Sequence, residues 1–205
     1  MRTIALGILT LCGVVATALT ARAESPLVLT VRVYNAAGVT GSELLAARRA
    51  AEPILADTGL AVTFRLCGTK AATGGVVDAC DDALKPSEVV VRLIDAPVFS
   101  TTLHPDAYGV TYVVEATNSG WLATVFPDRV AQAASRADAD AGTVLGRVMA
   151  HELGHLLLGS GYHGEAGVMR AEWPDELLHR KSAEEWRFSL FEAARMQRAL
   201  ALRHF

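Results

Sequence analysis

Apolar and polar positions along the chain fall into runs of different period. Residues 27–34, Leu-Val-Leu-Thr-Val-Arg-Val-Tyr, are rich in β-branched side chains and read as a strand. Asn35 to Gly38 break it, and a helical pattern follows from about residue 40 to 57. Thr40 and Glu43 have capping-box spacing. Leu44, Leu45, Ala47, Ala51 and Leu55 make this helix mostly apolar, and Pro53 inside it is expected to kink or shorten it. Gly59 ends the helix, and residues 61–67 read as a second strand. Strand, helix and strand at this spacing imply a βαβ unit with parallel strands.

Residues 68–88 are polar and carry Gly74, Gly75, Asp81 and Asp82. The continuous apolar run at 89–94 is what a strand buried on both faces looks like. After a loop at 95–107 come two further strand patterns, 108–115 and 121–126, separated by Asn118, Ser119 and Gly120. So short a connection pairs them as antiparallel neighbours. Beyond Asp128 the chain turns alanine-rich and polar, without an assignable element. An apolar helix then begins near Asp138 or Asp140 and runs to Leu158. A turn spans residues 172–175. Ser182 and Glu185 have capping-box spacing, so a last helix is expected from there to about residue 202. Trp186, Leu190, Phe191, Ala194 and Leu200 fall near one face, which makes it a packing helix.

Composition changes this picture at the N-terminus. Residues 1–23 combine a positive start at Arg2, an apolar run and an Ala21-Arg22-Ala23 cleavage pattern, the marks of a secretory signal peptide cut before Glu24. Residues 24–205 have the length of a single domain. Removing Arg2 and Arg22 from 19 basic residues leaves 17 against 22 acidic ones, a net charge of −5. A mildly acidic chain without a basic run is a poor binder of nucleic acid or of an anionic membrane. Two cysteines remain after Cys12 leaves with the peptide. Export and an even count predict a disulfide between Cys67 and Cys80. Without a CxxC pair neither is expected to bind zinc.

The candidate chemistry lies in His151-Glu152-Leu153-Gly154-His155. Positions four apart share a helix face, so His151 and His155 can hold one metal ion, with Glu152 reaching a water beside it. A catalytic zinc takes three protein ligands and keeps an open position. His163 is the nearest third candidate, and Gly159 and Gly161 suit the helix stop and turn that would bring it back.

Residues 151–169 resemble the zinc signature of the metzincin metallopeptidases, most closely the matrixin branch. There HExxHxxGxxH is followed by a methionine in a tight turn. Here the spacing is HExxHxxxGxxxH, with one residue added on each side of the glycine. The resemblance implies that His151, His155 and His163 ligate one catalytic Zn²⁺, that Glu152 is the general base and that Met169 is the turn methionine. It also implies a zincin-like α/β fold, in which a twisted, mostly parallel sheet has one antiparallel edge strand, here 108–115. Such an edge accepts an extended peptide by main-chain hydrogen bonds. The expectation is therefore a secreted or periplasmic zinc endopeptidase acting on protein or peptide.

Alternatives remain open at this point. Glu172 or Glu176 could be the third ligand, as in gluzincin peptidases, or the chain could hold zinc without cleaving. His104 and Asp106 resemble half of the matrixin structural zinc site, but 108–126 supplies no further histidine, which favours a solvated loop. Asp78, Asp81 and Asp82 are a weak suggestion of structural calcium, lacking EF-hand spacing.

Overall fold

A computed structural model describes residues 27–68, 80–97, 104, 106–114 and 119–203. The segment read as a cleaved leader lies outside these residues, as do Asp78 and most of the polar loop after residue 68. Among the described residues no helix is long and apolar enough to cross a membrane.

Strand β1 (Val28–Asn35) sends Leu29, Val31 and Val33 into the core. The expected capping box starts helix α1 (Gly41–Ala56): the Glu43 amide donates to the Thr40 hydroxyl at 3.3 Å, and the Thr40 amide donates to the Glu43 carboxylate at 3.1 Å. The helix runs through Pro53 to Ala56. Pro53 and Arg49 are both exposed, so the Arg49 carbonyl that loses its donor can turn to water. Strand β2 (Ala61–Cys67) then pairs parallel with β1, Phe64 beside Val31, completing the βαβ unit.

Strand β3 (Glu88–Leu93) pairs parallel with β1 on its other side. Strand β4 (Gly109–Val114) runs antiparallel to strand β5 (Ser119–Val125), which in turn lies parallel to β3. The sheet order is β2-β1-β3-β5-β4. This is the expected α/β, zincin-like arrangement: a mostly parallel sheet whose one antiparallel strand lies at the edge.

Two stretches differ from the sequence reading. Residues after Phe126 form helix α2 (Pro127–Arg136). Proline in the first turn, Asp128 beside it and Arg136 in the last turn are helix signals that the alanine-rich composition obscured. Near the C-terminus, Ser182 caps no helix. After a single turn, α4 (Asp175–Leu178), a 3₁₀ turn at Ala183–Trp186 intervenes, and helix α5 (Leu190–Arg203) starts only afterwards. Its capping box is Ser189 and Glu192, with bonds of 2.7 and 3.2 Å. Trp186 explains the shift: its ring is buried against Trp173 and under the Arg147 guanidinium, and its indole N–H donates to Arg180. That burial fixes the turn and displaces the helix start. The packing face of α5 is accordingly Glu192, Met196 and Leu200, while Leu190 and Phe191 are 91% and 66% exposed.

Helix α3 (Ala141–Leu158) starts where expected, with Asp140 accepting from the Thr143 amide at 2.7 Å. It packs against α1 and the inner face of β4 and β5, and is buried along most of its length. On the outer face Arg32, 2% exposed, donates to Glu88 at 2.5 Å and to Asp82 at 3.0 Å. The Cys67–Cys80 disulfide is present and brings the segment after Cys80 across this arginine. Asp82 pairs its carboxylate with Arg32 and, at 3.8 Å, with Arg65.

Candidate metal centre

Helix α3 sets His151 and His155 one turn apart at a cleft beneath β4. A main-chain carbonyl holds each ring. His151 Nδ1 donates to Val168 at 2.8 Å, and His155 Nδ1 donates to Ser160 at 3.0 Å. A carbonyl only accepts, so each neutral ring carries its proton on Nδ1 and leaves Nε2 bare. The two Nε2 atoms approach to 3.0 Å. With both protons spent on Nδ1 this contact is not a hydrogen bond between neutral rings, and two lone pairs are aimed at a shared point.

His163 joins them. Gly159 ends α3 in the left-handed conformation, at φ +64°, which only glycine adopts freely. Gly161 does not share that conformation, so a single glycine makes the stop. The chain then doubles back, and the Gly164 amide donates to the Met169 carbonyl at 2.8 Å. The His163 ring centre comes within 5.3 Å of His151 and 4.8 Å of His155. One nitrogen from each of the three lies within 4.8 Å of the others. Neither Glu172 nor Glu176 joins that cluster: Glu172 lines the cleft, exposed.

Three convergent imidazoles, two of them turned by carbonyls so that Nε2 is bare, fit the donor set of a zinc site with an open position. Burial pushes His151 down to about 3, helped by its histidine neighbours and opposed by the Val168 carbonyl. Burial likewise takes His155 down to about 4, and lowers His163. The rings are therefore neutral at physiological pH, the state that metal ligation requires.

Glu152 is 5% exposed, and burial raises its carboxyl to about 7 against the pull of a hydrogen bond from Thr111. It lies where two open cavities of about 950 and 560 Å³ meet along the cleft. The larger is walled by Tyr108, Val148, Trp173 and Pro174, the smaller by Val110, Val113 and the turn at Gly159–Gly161. Met169 is fully buried beneath the histidines, its sulfur against Gly154. His104 and Asp106 are exposed at the mouth of the cleft, where the Asp106 amide donates to His104 Nδ1 at 3.4 Å. Among the described residues they join no metal cluster.

The sequence did not disclose Val168 and Ser160, because any residue can supply a carbonyl. Nor did it single out Thr111 or Gly109, which sit in an ordinary strand pattern. Their roles exist only once β4 is laid across α3.

No protein-family profile and no curated protein sequence matches this chain. Among solved structures it is similar to archaemetzincin from Methanopyrus kandleri, with 18% identity and a TM-score of 0.53 over 85% of this chain and 97% of that one. At that identity the likeness is one of fold, and it agrees with the zincin-like architecture.

Proposed function

We propose that this chain is an exported zinc-dependent endopeptidase of metzincin type, with the variant HExxHxxxGxxxH signature. The observation that carries the reading is the convergence of His151, His155 and His163 beside the buried carboxyl of Glu152, in a cleft bordered by an edge strand. A zinc ion held by the three imidazoles would act as a Lewis acid, polarising a peptide carbonyl and acidifying a water.

The chain's own residues do the rest. The edge strand β4 binds an extended peptide through main-chain hydrogen bonds and lays its scissile bond over the histidines. Glu152 takes a proton from the attacking water and delivers it to the leaving amine. The leader at residues 1–23 directs the chain out of the cytoplasm and is removed, leaving 24–205.

The test begins with metal content of the exported protein, wild type beside His163→Ala. About one zinc in the wild type and a marked loss in the variant are expected. Wild type and a zinc-retaining Glu152→Gln protein are then compared on unfolded casein, where only the wild type is expected to cleave. A wild type without zinc, even after its addition, overturns the peptidase reading. Full zinc in His163→Ala moves the third ligand elsewhere, and equal cleavage by Glu152→Gln removes the general base. N-terminal sequencing of the exported chain, expected to begin at Glu24, checks the leader.

A further inference from the structure

Gly109 and Thr111 lie two positions apart on β4, so they share the strand face turned toward α3. The Glu152 carboxyl fits between them. The Thr111 hydroxyl is 2.6 Å from Glu152 Oε2 and 3.1 Å from the Glu152 main-chain oxygen. Gly109 faces the other carboxyl oxygen. A Cβ placed there would stand 2.7 Å from Oε1 and 2.8 Å from the Thr124 carbonyl, so the slot exists only because residue 109 has no side chain.

A hydroxyl has one hydrogen and also accepts. Thr111 gives that hydrogen to Glu152 Oε2, with the Glu152 main-chain oxygen as a second acceptor within reach. The carboxyl is therefore tied to β4 at one oxygen, and its other oxygen has room only beside Gly109. Valine in this position would fill the space and offer no such hydrogen.

We infer that Thr111 is a positioning residue, which, with the room left by Gly109, holds the Glu152 carboxyl in one orientation beside the metal-binding histidines. The inference rests on the metallopeptidase reading and adds to it a role for the edge strand beyond binding peptide.

The experiment uses cobalt(II) as a coloured replacement for zinc and acetohydroxamate as the probe. Acetohydroxamate chelates the metal and passes its hydroxyl proton to a neighbouring base, so its affinity reports the position of the Glu152 carboxyl without any need for a substrate. Thr111→Val is expected to keep one cobalt per chain and to bind the probe about tenfold more weakly, the usual scale for losing a second-shell partner. Thr111→Ser, which restores the hydroxyl, is expected to bind within about twofold of wild type. In a Glu152→Gln background Thr111→Val should change nothing further, because the proton acceptor is already gone. Gly109→Ala, which closes the slot from its other side, should weaken the probe as Thr111→Val does.

Wild-type affinity in Thr111→Val, or an equal loss in the Glu152→Gln background, overturns the inference while leaving the peptidase reading intact. A wild-type chain that takes up no cobalt overturns both.

Discussion

Nδ1 of His151 lies 2.8 Å from the main-chain oxygen of Val168, which stands 17 residues further along the chain. The bond fixes the ring's tautomer, and its acceptor belongs to the residue just before Met169. Met169 presses its sulfur on Gly154, one position before His155, and Phe188 closes the same contact. Helix and turn are therefore in register at two points, one through a carbonyl and one through a missing side chain. Gly154→Ala would drive a methyl into Met169 and the Phe188 ring, and the Val168 carbonyl would shift with them. Zinc affinity is expected to fall about 10- to 100-fold, the cost of disturbing an outer-shell partner. Competition with a chelator measures it. Gly41→Ala, where a Cβ meets nothing within 4 Å, is the matched control and should leave affinity unchanged. Wild-type affinity in Gly154→Ala would mean that the turn does not orient His151.

This contact also marks where reading the sequence stops. The βαβ unit, the antiparallel edge and the start of α3 were legible because β-branched runs, capping residues and a short connection each act locally. His151, Glu152 and His155 were legible because helix geometry alone puts them together. His163 was readable as a candidate by its place after a helix stop, and the turn's closure by Gly164 and Met169 is what carries it back. The start of α5 was misread because Ser182-x-x-Glu185 obeys the local rule, whereas burial of Trp186 is a long-range effect that outweighs it. Val168, Ser160 and Gly109 support the site through main-chain atoms or empty space, which leave no residue pattern, and the Thr111 hydroxyl sits in an ordinary strand pattern until β4 is laid across α3.

Arg147 illustrates a buried charge with a structural task. It is 6% exposed, donates to the carbonyls of Leu178 and Arg180 at 2.5 and 2.6 Å, and stacks on Trp186 at 4.0 Å. It thereby ties the segment after the methionine turn to the middle of α3. Arg147→Met keeps the apolar stem but leaves the Leu178 carbonyl without its donor, while the Arg180 carbonyl retains the Trp186 indole. The expected cost is about 2 kcal/mol, from about 1–3 kcal/mol for a buried group left unsatisfied. In a chain of this size that lowers Tm by roughly 6 °C. Arg147→Lys should recover only part, since an ammonium cannot span both acceptors as the planar fork does. Thermal unfolding of the three proteins decides it, and an unchanged Tm in Arg147→Met would show the tie to be dispensable.

The disulfide joins positions 13 apart on the outer side of the sheet, while the histidines lie on the inner side. A cross-link of that span contributes about 3 kcal/mol by constraining the unfolded chain. Replacing Cys67 and Cys80 together by serine should lower Tm by roughly 10 °C and leave zinc stoichiometry at the wild-type value. Zinc loss in the folded double variant would show that the two faces of the sheet are coupled.

Glu88 makes stability depend on pH in a predictable direction. Burial alone would raise its carboxyl. The Lys85 amide, at 2.9 Å, and the Arg32 guanidinium, at 2.5 Å, outweigh burial and hold it below the ordinary carboxylate value. A carboxyl lowered in the folded state contributes stability that is fully present above its unfolded value of about 4.3. That contribution is lost as pH falls through the lower folded-state value. Glu88→Gln removes the charge at every pH and leaves Arg32 with Asp82 as its carboxylate partner among the described residues. At pH 7 the variant should be less stable by about 3 kcal/mol, as for one partner of a buried pair removed. As pH falls below about 4.3 and on through the lower folded-state value the gap should shrink, and it closes once Glu88 is protonated in the folded wild type as well. Urea unfolding from pH 7 to pH 3, with a chelator present throughout so that acid release of metal does not contribute, measures the gap. A gap that stays constant to pH 3 would mean that the Arg32–Glu88 pair is not what makes this chain sensitive to acid.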